Sequence, residues 1–464
     1  MFISPRRSES ERMIRDAGSE RPPRGGRPGA AVAAAFLVAA FGAAAEAPAR
    51  APEAPKSLAA RLPDAVAAAQ KLVATIRGVA FPGTVPSALL PEKELAKVLE
   101  KKLAEDLPVP FERYVASLAA LGLVPPGADL RDPMTRLYAR QVAGFYDPDE
   151  KKFYVVPERT GEAARGAAGL GPAADRIMED ALLTHELMHA LQDRHLDLSR
   201  RQKVLKENGD AQMALQAMLE GEATVVMMEA VLARLPAEMR GRVSTSGLLS
   251  SMAQMAAGGI EGADGVPEYF VKELLFPYTA GTSWVDRKRA AGGWAAIDEA
   301  WKRPPETTAE ILHPDRPPEI RKRLPHGDRP AASEIPAGTR LLYTDRLGEW
   351  MLRTILEAAG APDPAGLAAE WRDDRIVYFE QKDRDDGPVG FVWRLRLAGT
   401  EEARRLAGVL AAFYEADDSD EGATASRSGD LVTVLRRAAP PRRAAPEARP
   451  ATFPKAASER AAER

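Results

Sequence analysis

Leu182-Leu183-Thr184-His185-Glu186-Leu187-Met188-His189-Ala190-Leu191 runs without a glycine or proline, and the fold reading turns on it. An uninterrupted stretch of this kind predicts a helix, here from about Asp175 to Arg194. Positions i and i+4 are neighbours on one helix face, so His185 and His189 can aim two imidazole nitrogens at one ion. Leu183, Leu187, Ala190 and Leu191 form the opposite, core-facing stripe. Glu186 is rotated away from both histidines. It is expected to reach a water beside the ion rather than the ion itself, which is where a general base belongs.

The rest of the composition sharpens that reading. The 464 residues include no cysteine and only five histidines. Thiolate sites, disulfides and cysteine nucleophiles are therefore excluded, and any metal must be held by His, Asp or Glu. Net charge is −3, without the basic surface that phosphate binding needs, so no nucleic-acid partner is expected. No glycine-rich phosphate loop with a following lysine and no Gly-x-Ser-x-Gly elbow occurs.

A catalytic metal site needs a third protein ligand and one open position. Its source is the next long helix, expected from about Asp210 to Leu235, at Met218-Leu219-Glu220-Gly221-Glu222-Ala223. Glu220 has Gln216, Ala223 and Thr224 on its face, which leaves room for two helices to approach, and Gly221 permits close packing. Glu222 interrupts an apolar stripe of Leu215, Met218, Val225 and Val226 and would need a partner there. Glu220 is the favoured ligand; Glu222 is its rival, as ligand or as a group bonded to one.

Other residues join as supporting candidates. A ligating histidine usually gives its second N–H to a carboxylate or carbonyl; Asp193 and Glu222 are in reach, although a surface or helix-end role suits Asp193 better. His195 is expected to close the helix. Tyr278, Tyr146 and His313 are candidates to stabilise an oxyanion, with Tyr278 chosen because it follows Phe276-Pro277 after a Gly/Ser/Met-rich stretch. Trp294, Trp301, Trp350, Trp371 and Trp393 are expected to be core aromatics.

Outward from the motif, residues 142–156 predict a β-hairpin about Asp147-Pro148-Asp149-Glu150, on the side where a peptide could add as a strand. Leu58 to Leu121 reads as helical. Two helices are expected around Gly292-Gly293-Trp294. Beyond Pro336, helices at 346–359 and 400–414 alternate with strands at 376–379, 391–397 and 431–435. The expected division is 1–47 signal peptide, 48–129 linker and helical segment, 130–335 metal-binding domain, 336–435 small α+β module and 436–464 disordered tail, giving an α+β, mainly helical fold. The signal reading rests on Arg21, Arg24 and Arg27 ahead of the uncharged run Pro28–Ala45 and small residues after it. Export to the periplasm or outside the cell follows, with no stable membrane span after cleavage; an uncleaved anchor is the alternative.

With these pieces in place, the chain resembles the gluzincin metallopeptidases, whose pattern is His-Glu-x-x-His on one helix and a Glu on a following one. Glu220-Gly221-Glu222-Ala223 is similar to the Glu-Gly-x-Ala ligand segment of the zinc aminopeptidases in that group, which is the main reason for placing the ligand at Glu220. More narrowly, Gly144-Phe145-Tyr146-Asp147-Pro148, Thr184–Asp193, Phe276-Pro277-Tyr278 and Ile311-Leu312-His313-Pro314 resemble a group of exported prokaryotic gluzincin-like proteins. The resemblance implies a zincin-like fold; joined to the residues themselves, the expected site is Zn²⁺ on His185, His189 and Glu220 with Glu186 as base, and the expected activity is hydrolysis of a peptide or protein substrate. The resemblance does not name the substrate. A zinc amidase acting on cell-wall peptides and a non-catalytic zinc-binding structural protein are the other readings.

Overall fold

The computed structural model describes residues 58–160, 172–234, 263–316, 324, 335–384, 386–415 and 424–438. The segments read as signal peptide and linker, most of the 161–174 loop and of the 236–266 connection, and all but the first residues of the tail lie outside the described residues. Among the described residues no helix is long and apolar enough to cross a membrane. The fold is α+β and mainly helical.

The N-terminal part begins with helix α1 (Leu58–Arg77), strand β1 (Ser87–Leu89) and helices α2 (Glu92–Asp106), α3 (Phe111–Ala120) and α4 (Arg131–Gln141). The stretch read as helical from Leu58 to Leu121 is three helices, with an unexpected strand between the first two. Pro82, Gly83 and Pro86 stand just before it, and a residue preceding proline is driven out of the helical region. Strands β2 (Gly144–Asp147) and β3 (Lys152–Val155) form the hairpin, with Lys151 at φ 55° in its turn. β1 pairs in parallel with β3, so the order is β1-β3-β2 and β2 is an edge.

Three long helices follow: α5 (Pro172–Leu196), α7 (Gly209–Arg234) after the short α6 (Leu198–Val204), and α8 (Glu268–Lys302). α8 is two helices in effect, because Gly292 and Gly293 leave helical geometry, Gly293 at φ +64°. From Asp210 to Met228 every residue of α7 except Gln216 is buried. A helix apolar on nearly all sides belongs in the middle of a fold, and α7 sits against α5, α8 and α1. His185 and His189 are themselves buried, so the face expected to oppose the core lies inside it too.

The crossing of α7 and α8 is unusually close. A Cβ added to Gly221 would fall 2.2 Å from the Gly281 carbonyl carbon, and one added to Gly281 would fall 1.9 Å from the Ala217 carbonyl oxygen. Alanine has the better helix propensity by about 1 kcal/mol, but here the obstructing atoms are backbone and the helices must part. Gly281→Ala is expected to destabilise the protein by about 1–3 kcal/mol net, in the range of overpacked cores. An unchanged urea midpoint would contradict so close an approach.

After the five-residue helix α9 (Thr308–Leu312), the chain builds an antiparallel sheet in the order β4-β5-β6-β8-β7 from β4 (Thr339–Asp345), β5 (Trp371–Gln381), β6 (Val389–Leu397), β7 (Thr424–Ser428) and β8 (Leu431–Arg436). Helices α10 (Gly348–Ala358), α11 (Pro364–Ala368) and α12 (Thr400–Glu415) accompany it. The two strands not expected, β4 and β7, are the sheet's edges; their exposed or half-buried positions leave little apolar alternation to read. Asp374 on β5 is buried and accepts hydrogen bonds from the backbone N–H groups of Leu347 and Gly348 and from the indoles of Trp371 and Trp393, at 2.9–3.0 Å. Four donors on one carboxylate tie the start of α10 to the sheet, and each would be left unsatisfied without it. One hydrophobic core runs continuously from α1 through α5, α7 and α8 into this sheet.

Candidate metal centre

α5 and α7 bring three donors together. The Nε2 atoms of His185 and His189 are 3.2 Å apart, and Glu220 Oε2 lies 3.2 Å from the first and 3.4 Å from the second. All three side chains are buried, and as a group they could hold a metal ion. The spacing suits one: a tetrahedral ion with bonds of about 2.0–2.1 Å separates its ligand atoms by roughly 3.3–3.4 Å. Two imidazoles and one carboxylate, with no thiolate, is a donor set for a borderline divalent cation.

The electrostatics of the triad point the same way. Burial opposes a charge on His189, but Glu220 and then Glu186 outweigh it and push the ring up to about 9. Burial would raise Glu220, yet the two histidines hold it below its ordinary value. A buried carboxylate that attracts a proton onto its neighbouring ring attracts a cation equally, and metal binding at such a site displaces that proton.

Glu186 lies outside the triad. It is fully buried, and Oε2 accepts the Tyr146 backbone N–H at 3.0 Å. Oε1 has no hydrogen-bond partner among the described residues. Burial, with the like charge of Glu220, pushes this carboxyl up to about 8 against the pull of His189 and the Tyr146 N–H. An unsatisfied buried carboxylate oxygen is costly, and it stands next to His185 in the chain, beside β2.

Glu222 turns away from the histidines. Its Oε1 accepts from Arg77 Nε at 2.7 Å, and its Oε2 accepts from Gln192 Nε2 at 2.8 Å and Trp301 Nε1 at 2.9 Å. Burial pushes its carboxyl up, with Arg77 pulling the other way. Glu220 and Glu222 are two residues apart on a helix, about 200° around its axis, and this is why they serve different neighbourhoods.

Other candidates sit as follows. Asp193 does not bond either histidine. It is buried and accepts from the Tyr146 hydroxyl at 2.8 Å, from Lys151 Nζ and from the Leu198 N–H that opens α6. Of the two roles expected for Asp193, the surface one is corrected, since it is buried, while the helix-end one holds, since it accepts the Leu198 N–H just past the end of α5. The bond to Asp193 takes up the Tyr146 hydroxyl, and burial with the Asp193 charge raises its pKa. Tyr278 on α8 is buried with its ring centroid 6.5 Å from that of His185. His313 is instead bonded to Glu349 at 2.7 Å, outside the triad. His195, expected to close α5 by a hydrogen bond, packs on Trp301 at 4.7 Å between ring centroids. A small cleft of about 50 Å³ opens beside His189 and Glu220, lined by Tyr146, Leu215, Gln216 and Leu219 among others.

The residues missed from sequence are Gln192, Arg77 and Trp301. Gln192 had a signal, since it stands one helical turn after His189. Arg77 had none, being 145 positions from the carboxylate it meets.

Comparison with known proteins adds little to this. Residues 339–445 match the family described as "Domain of unknown function (DUF8575)", which spans the five-stranded sheet and not the triad. No curated protein matches the chain. One solved structure, described as "a putative hydrolase with a novel fold from Chloroflexus aurantiacus", is 20% identical with a TM-score of 0.39, over 61% of this chain and 95% of that one. The triad itself is what bears on function.

Proposed function

We propose that the protein is a zinc-dependent metallohydrolase of gluzincin type that cleaves peptide bonds, with His185, His189 and Glu220 as ligands and Glu186 as general base. The observation that carries this reading is the buried convergence of the three donors at 3.2–3.4 Å, with a second carboxylate, Glu186, beside them and half unsatisfied. A structural zinc site closes its coordination with four protein ligands; the three here leave a position open, as catalytic sites do.

Zinc in such a site supplies Lewis acidity toward the scissile carbonyl and makes water acidic enough to deprotonate near neutrality. The chain's own part follows from its contacts. The Tyr146 N–H pins Oε2 of Glu186, which leaves Oε1 to accept a proton from the attacking water and return it to the leaving amine. Tyr278, against His185, is the side chain proposed to stabilise the oxyanion. β2 is buried and gives the Tyr146 N–H to Glu186, so the choice of a peptide bond over other amides rests on the likeness of the His-Glu-x-x-His motif and not on this strand. Export, inferred from residues 1–47, belongs to the same proposal.

A panel of peptide and cell-wall substrates, assayed with and without chelator, tests it. Chelator-sensitive peptide cleavage is the expected result. Turnover confined to cell-wall substrates would make the protein an amidase. Bound zinc with no turnover of either would leave a structural zinc protein.

A further inference from the structure

The Nδ1 atom of His189 lies 2.8 Å from Gln192 Oε1, and the direction of that bond can be deduced. Gln192 Nε2 sits 3.0 Å from the Leu219 carbonyl oxygen and 2.8 Å from Glu222 Oε2. A carbonyl only accepts, so the amide nitrogen must face it, and Oε1 must face His189. Both oxygens of Glu222 are already met by donors that cannot accept: Arg77 Nε on Oε1 and Trp301 Nε1 on Oε2. Arg77 is itself held in place, over the rings of Trp294 and Trp301 at 4.2 and 4.8 Å and by Asp298 at 2.8 Å. Each link has one permitted polarity, and together they require His189 to carry its proton on Nδ1. In the neutral ring, the form that binds a metal, the lone pair is then on Nε2, the atom that meets His185 and Glu220.

We propose that Gln192 is the positioning residue of the metal site: clamped by Leu219 and Glu222, it holds His189 in the Nδ1–H form with Nε2 turned to the ion, and Arg77 and Trp301 lock that clamp from α1 and α8. This rests on the metal reading above. It assigns to an amide the task that carboxylates or carbonyls usually perform for ligating histidines. It also makes the first helix of the described chain part of the frame of the site, since removing Arg77 would leave Glu222 buried without its charged partner.

The test uses the full chain loaded with zinc. Gln192→Leu keeps side-chain bulk and removes the acceptor. Zinc affinity, measured by competition with a chelator, is expected to fall about 10–100-fold, the usual cost of losing such a contact. With histidine ring nitrogens labelled, the slowly exchanging Nδ1–H signal of His189 is expected to disappear in Gln192→Leu. A merely structural role for Gln192 would not move that signal. Should Gln192→Leu fail to fold, Trp301→Phe removes one donor from Glu222 while keeping an aromatic ring, and the same two readings should move in the same direction. Affinity and signal both unchanged in the folded variant would overturn the proposal while leaving the metal reading intact. Wild-type protein that takes up no zinc would overturn both.

Discussion

Glu186→Gln is expected to keep a full complement of zinc and to lower peptide hydrolysis by about 10²–10⁴-fold, the contribution of a positioned general base. The substitution is nearly isosteric, and the Tyr146 N–H that now reaches Oε2 can be accepted by the amide oxygen. Folding is therefore preserved, because a carboxyl that burial already pushes toward its neutral form is exchanged for a neutral amide of the same shape. The amide cannot take a proton from water at neutral pH, so only turnover suffers. Zinc content by elemental analysis and initial rates on a chelator-sensitive peptide decide the matter. Loss of zinc from Glu186→Gln would make Glu186 a ligand and the role assignment wrong; unchanged rates would place the base elsewhere.

The second large effect concerns the ligands. His185→Ala, His189→Ala and Glu220→Ala should each remove most of the bound zinc, because two donors on a buried site cannot complete the three-ligand set. Glu222 should behave differently. Its carboxylate bonds Gln192 and Arg77 rather than a histidine, so its effect on zinc is that of an outer contact, about 10–100-fold. Glu222→Ala is a poor test, since it breaks a buried ion pair and leaves Arg77 only the half-exposed Asp298, and breaking such a pair costs about 3–5 kcal/mol. Glu222→Gln keeps the volume and two of the acceptor contacts, and is the variant to compare with Glu220→Gln. Zinc lost from Glu222→Gln and retained by Glu220→Gln would reverse the assignment. Wild-type protein with no zinc after purification without chelator would remove the metal reading itself.

The helical spacing of His185 and His189, the hairpin at 142–156 and the long helix carrying Glu220 and Glu222 were all legible in sequence because each is local. Two ring nitrogens four residues apart share a face whatever surrounds them, and a Pro-Asp turn between two apolar runs needs no distant partner. The same locality explains what was lost. β1 is three residues long and exists only because β3 lies beside it. β4 and β7, at the sheet's edges, take their pairing from neighbours across the sheet and carry too little apolar alternation to announce it.

Which carboxylate of Glu220-Gly221-Glu222 meets the histidines is a question of rotation about α7, and sequence supplied two acceptable answers. The tertiary structure chose between them by contact. Gly221 lies against Gly281, backbone to backbone, and that seating of α7 on α8 turns Glu220 to α5 and Glu222 to Arg77 and Trp301. The partner of His189 was beyond sequence for a related reason. Asp193 and Glu222 are the chemically obvious choices, but Asp193 is taken by Tyr146 and Lys151 and Glu222 by Arg77, so Gln192 remains to bridge. The residue types capable of holding a metal, and their place on two helices, were determined by the sequence alone. Their orientation was decided by long-range packing, because a side chain's direction depends on which faces of its helix are already filled.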